Sequence, residues 1–241
     1  MEIIHFGKKI KEHISNSINK EYYLSSKPEG MPGWEEKHYK KQLLKADYNY
    51  DLNMMYFNSL NESKFNSYLE KQIKKYRFKE CNDLKEVDNV CGVYLLVLDK
   101  FKQVYIGQSR NIKKRIYRHW SDKKSLERLI WGDLLNSIIS IDSFGPLDTS
   151  RIFYIETYKT YEMEEKIVST FNTEYLLNRT AGGIGSTSSY TGDSIAAKMA
   201  VIANRKKRDY SKFIDVAKIK DILGDEFHYY EERYSFLKVN E

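Results

Sequence analysis

A chain of 241 residues, 41% hydrophobic and 31% charged, has the composition of a globular protein with one good core and smaller flanking parts. Its early charges argue against a signal peptide, it lacks an apolar run of about 18 residues, and Cys81 and Cys91 are too few for a disulfide framework. Both thiols are therefore expected to be reduced in a cytoplasmic protein, with no membrane partner. The formal net charge is +6, and residues 101–128 alone hold nine Lys/Arg against two Asp/Glu, so the positive excess is local and permits nucleic-acid binding without requiring it.

Residues 1–88 read as a mainly helical flanking region with a packing or recognition role. Apolar residues recur at helical spacing over 3–18, 35–45 and 62–75, and Pro28, Gly30, Pro32 and Gly33 break the pattern between them. A central domain follows over 89–190. Residues 90–98, rich in Val, Leu and Tyr, predict a buried strand, and 104–107 a second strand that returns antiparallel after a polar turn. Ser109 or Asn111 then caps a helix with Ile112, Ile116 and Trp120 as its core stripe. Residues 125–137 predict another helix, 138–141 and 151–156 strands, 161–171 a third helix and 178–191 a loop rich in Gly, Ser and Thr. Residues 191–241 read as a C-terminal extension of two short helices with a basic run at 205–208.

Four features carry chemistry. Tyr94 and Tyr105 lie on the two hairpin strands, where both hydroxyls can reach one side of the sheet; tyrosine is also an ordinary strand residue, so packing is the competing role. Arg115 and His119, four apart, share a helix face about 100° from the core stripe. Arginine suits a phosphate and histidine a proton near neutral pH, against the alternative that both are surface side chains. On a helical wheel Glu164 falls inside the apolar arc of Met163, Ile167, Val168 and Phe171, whereas Glu162 and Glu165 fall outside it. A carboxylate on a buried face needs a cation, either a metal ion or a paired arginine. Asn178 opens the glycine-rich loop, whose N–H groups suit a phosphate. Arg110, Lys113, Lys114, Arg118, Lys123 and Lys124, on or beside the basic helix, are expected to contact nucleic-acid backbone.

Taken in order, Gly92-Val93-Tyr94, ten residues, Tyr105-Ile106-Gly107, then Arg115, His119, Glu164 and Asn178 resemble the GIY-YIG nuclease superfamily, over roughly residues 89–185. The resemblance implies an α+β domain, a small three-stranded antiparallel sheet flanked by helices. It implies an Mg²⁺-dependent phosphodiester hydrolase, with Mn²⁺ as a substitute, acting on double-stranded DNA in the manner of a restriction or homing endonuclease. Glu164 would hold the metal, Tyr94 would be the general base with help from His119, and positive charge nearby would lower its pKa. Arg115 would hold the phosphate, Tyr105 would orient water or phosphate, and Asn178 would support the phosphate or the sheet. An RNA-cleaving or toxin-type nuclease and a non-catalytic nucleic-acid-binding module are the alternatives, and a homodimer is one arrangement for cutting both strands.

Overall fold

The computed structural model describes residues 2–28, 35–179 and 208–237. Its first element differs from expectation. In place of a helix over 3–18, β1 (Glu2–His5) pairs antiparallel with β2 (Lys8–Lys11), Ile3 opposite Ile10. The linking residues Phe6 and Gly7 both have positive φ, 46° and 74°. Such a two-residue turn carries the twist that matches a hairpin, and it overrides the helical spacing of the isoleucines. A short helix α1 (Lys20–Leu24), capped by the Asn19 side chain, follows.

Helix α2 (Glu36–Ser59) runs far beyond the expected 35–45, because Ala46, Leu52 and Phe57 continue its buried stripe at 0% exposure. Helix α3 (Glu62–Tyr76) matches expectation and ends at Arg77 in the left-handed region, φ 56°.

The central sheet is antiparallel, in the order β3 (Lys79–Glu80), β6 (Arg151–Glu156), β4 (Gly92–Leu98), β5 (Gln103–Ser109). Three of these strands were expected; the fourth, β3, is a two-residue addition that pairs Lys79 with Tyr154 and Glu80 with Phe153. Strand β4 is buried along its whole length. Its alternation divides the interior in two. Tyr94, Leu96 and Leu98 join Ile112 and Ile116 of α4 (Ile112–Ser121), together with Leu52 and Phe57 of α2. Val93, Leu95 and Val97 face Phe65 and Leu69 of α3 and Ile167 and Val168 of α5 (Thr160–Thr170). Helices α6 (Val216–Leu223) and α7 (Phe227–Arg233) extend the first core through Ile219, Leu223 and Phe227. Both flanking regions thus contribute side chains to the core beneath the sheet. Among the described residues, no helix is long and apolar enough to cross a membrane.

Two further expectations fail between α4 and β6. Residues 125–137 are not a helix and 138–141 are not a strand; short 3-10 turns at Leu126–Arg128, Leu134–Asn136, Ile141–Ser143 and Pro146–Asp148 stand there instead. Gly132, at φ 72°, interrupts the helical path. Side chains then supply the hydrogen bonds that regular structure would have provided. Asn49 and Asn53 of α2 donate to Ser137 O at 2.8 and 2.9 Å. The Arg179 guanidinium donates to Ile138 O, Arg128 O and Leu129 O at 2.6, 2.8 and 2.6 Å.

The outer edge of β5 is closed in a similar way. Leu177 N donates to Val104 O at 2.9 Å. The Asn178 side chain accepts from Ile106 N at 2.9 Å and donates to Ile106 O at 2.7 Å, so one amide stands in for a strand residue. Asn178→Ala leaves both buried Ile106 groups unpaired, at a cost of about 1–3 kcal/mol each. Urea denaturation should therefore show a clearly lowered midpoint, and an unchanged midpoint would refute this role.

Candidate active site

The sheet register brings the first pair of residues together. Tyr94 on β4 stands opposite Gly107 on β5, and Leu96 stands opposite Tyr105, so both tyrosines project to the α4 side. Their ring centroids are 6.3 Å apart. The Tyr94 ring crosses β5 at Gly107, where an added Cβ would come within 2.3 Å of the Tyr94 hydroxyl. Glycine at this position therefore makes room for the tyrosine.

Helix α4 supplies the second pair. Asn111 caps it by accepting from Lys114 N, and Ile112 and Ile116 seat it on the sheet. Rotated from that stripe as expected, Arg115 and His119 meet the tyrosines. The His119 side chain is only 2% exposed, and its ring lies edge-on to Tyr105 with centroids 4.9 Å apart. Nε2 is 2.8 Å from the Tyr94 hydroxyl, and Nδ1 is 2.5 Å from Asp142 Oδ1. The other Asp142 oxygen accepts from Lys124 Nζ at 2.6 Å.

Electrostatics gives this chain of contacts a direction. Burial lowers the pKa of His119, and the hydrogen bond and charge of Asp142 offset that only in part. Burial alone would raise the Asp142 carboxyl, but His119 and Lys124 outweigh it and hold it below the usual carboxylate range. The pair is therefore an ionised carboxylate and a neutral imidazole at neutral pH. Nδ1 donates to Asp142, and the Nε2 lone pair is left to accept from the Tyr94 hydroxyl. The expectation of a lowered tyrosine pKa is reversed. Burial, followed by the neighbouring Tyr105, raises Tyr94 well above its ordinary value, and the positive charge of Arg115 opposes this only partly. Tyr105 is also raised, again by burial first.

Glu164 lies on α5, whose Ile167 and Val168 pack on the opposite face of the sheet, and is buried as its wheel position required, with Glu162 and Glu165 exposed. Its negative charge reaches the site: it adds to the upward shift of both Tyr94 and Tyr105. Among the described residues no group of three or more His, Cys, Asp or Glu is placed to hold a metal ion. A single carboxylate nevertheless suits Mg²⁺, which keeps much of its water and takes remaining ligands from a substrate phosphate.

The remaining expected residues lie around these groups. Asn178 pairs the backbone of Ile106 between Tyr105 and Gly107, so it holds the strand that carries the site. Among the basic residues, Arg110 and Lys114 are exposed. Lys113 pairs with Asp88 at 2.7 Å, Arg118 lies 3.7 Å from Asp122, and the Lys123 ammonium sits 4.2 Å over the Tyr22 ring. Lys124 belongs to the His119–Asp142 chain. At the end of the expected basic run, Arg208 is buried and donates to Leu176 O at 2.9 Å. The rest of that run, 205–207, and the glycine-rich residues 180–191 lie outside the described residues. Asp142 was not anticipated. It sits in a Ser140-Ile141-Asp142-Ser143 turn, and turn chemistry is the only signal the sequence holds for it.

Comparison with family models, with curated proteins and with solved structures yields no match.

The lowered pKa of His119 has a thermodynamic consequence. Once unfolded, the ring takes up a proton near its ordinary value of 6.5, which the folded state refuses. The folded state is thus favoured above that pH and loses this contribution as pH falls below it. Urea midpoints measured from about pH 8 down to 5 should decline, and less steeply in His119→Gln. His5, shifted the same way by burial, leaves a residual slope. Equal slopes in the two proteins would refute the assignment.

Proposed function

We propose that this chain is a metal-dependent endonuclease of the GIY-YIG kind, acting on double-stranded DNA. The observation that carries the reading is the hydrogen-bonded pair of Tyr94 and a neutral, buried His119, with Arg115 beside the tyrosines. A tyrosine with a raised pKa is a poor base alone. Passing its proton to Nε2 of His119 while taking one from water removes that difficulty. Arg115 binds a phosphate oxygen through its planar fork, and the half-buried Tyr105 orients phosphate or water. Glu164 is the residue to hold Mg²⁺ or Mn²⁺, which when bound supplies charge stabilisation at the phosphate. Exposed Arg110, Lys114 and Arg118 are suited to flanking backbone phosphates.

The full burial of Tyr94, at 0% exposure, favours a second reading, a nucleic-acid-binding module without catalysis. Plasmid nicking with Mg²⁺, with and without EDTA, separates the two. The nuclease reading expects cutting that EDTA stops, no cutting by folded Glu164→Gln, and a rate loss on the order of 10²-fold or more in Arg115→Ala. Binding without cutting by the wild type would favour the module. Wild-type cutting by Glu164→Gln would remove the metal role from that residue.

A further inference from the structure

We propose that Asp142 is a positioning residue which fixes the tautomer of His119 so that Nε2 faces Tyr94 as an acceptor. The inference rests on the hydrolytic reading of the Tyr94–His119 pair. A neutral imidazole carries one proton and can place it on either nitrogen. Here the choice is made by what surrounds the ring. Oδ1 of Asp142 lies 2.5 Å from Nδ1, and an ionised carboxylate only accepts, so the proton must sit on Nδ1. The other tautomer would set a bare ring nitrogen against a bare carboxylate oxygen.

Asp142 is itself held from its other side. Oδ2 takes the Lys124 ammonium at 2.6 Å, and Ser140 Oγ stands 3.4 Å away at the start of the Ile141–Ser143 turn. With one oxygen committed to a cation that only donates, the other is committed to the imidazole. When Tyr94 gives up its proton, the bond to hydrogen breaks at Oη and forms at Nε2. Asp142 then stabilises the resulting imidazolium without taking a proton itself.

Lys124 makes this arrangement testable. In Asp142→Asn the side chain has one acceptor and one donor. The ammonium claims the amide oxygen, which turns the NH₂ group towards Nδ1 of His119. That nitrogen must now accept, the ring proton moves to Nε2, and Tyr94 loses its acceptor. In Asp142→Asn/Lys124→Met no cation claims the oxygen, and the Ser140 hydroxyl beside it can accept as well as donate, so the amide can turn over and restore the Nδ1–H form. A residue that only filled space would show no such reversal.

The experiment combines nitrogen-15 NMR of the His119 ring, in the full chain near neutral pH, with plasmid nicking in Mg²⁺. The wild type and Lys124→Met should carry the proton on Nδ1, and Asp142→Asn on Nε2. In Asp142→Asn, kcat should fall on the order of 10²-fold or more with KM changed less than about threefold. The double variant should return to Nδ1–H and recover roughly tenfold in kcat. An Nε2–H ring in the wild type or in Lys124→Met overturns the proposal, and so does an Asp142→Asn protein that keeps Nδ1–H or wild-type kcat. If the wild type cuts no plasmid yet the ring proton moves as described, the hydrolytic reading falls and the positioning role of Asp142 stands.

Discussion

A strand without an exposed residue has to be covered on both faces, and β4 imposes that demand on the whole chain. With β5 and β6 paired to its two edges, helices must pack above and below it. The hairpin and α4 are too short to do this alone. The Tyr94 face therefore shares its core with α4 and α2, which the two C-terminal helices extend, while α3 and α5 share the core of the other face. Alternation along β4 then sorts side chains by role. Val93, Leu95 and Val97 serve packing alone. Tyr94, one step out of phase with them, reaches the layer where α4 delivers Arg115 and His119. The site is in this sense a by-product of covering one strand, and Tyr94 and His119 are buried because that strand is.

The parts legible in the sequence were those whose periodicity and packing agree. Strands β4, β5 and β6, the caps and stripe of α4, and the burial of Glu164 all follow from a residue pattern that the fold then uses. The parts that were not legible lack such a pattern. At β1–β2 the isoleucine spacing satisfies a helix, but the positive φ of Phe6 and Gly7 selects a hairpin. Between α4 and β6 the backbone is held by Asn49, Asn53 and Arg179, residues remote in sequence, and no window centred on 126–148 contains them. Asp142 lies in that stretch. Its partners, His119 and Lys124, are near in sequence, but the residues 140–143 signal only a turn, and it is the fold that brings the carboxylate back to His119.

The direction of the tyrosine shift shows the limit of reasoning from charge alone. Counting cations near Tyr94 suggests a stabilised phenolate. Desolvation is the larger effect, and Tyr105 and Glu164 add to it. A buried hydroxyl keeps its proton unless an acceptor is already in contact with it. The neutral imidazole at 2.8 Å is such an acceptor, so geometry supplies what the electrostatic field does not.

Asn178 and Arg179 are joined by a single peptide bond. One closes the edge of the strand that carries Tyr105, and the other grips three carbonyls of the loop that leads towards Asp142. The hairpin and α4 therefore do not make a portable cassette. Transplanted without this dipeptide and the loop it fastens, they would keep the tyrosines and the imidazole but lose the carboxylate that orients the ring. Any scaffold built to borrow this site must borrow that tether as well.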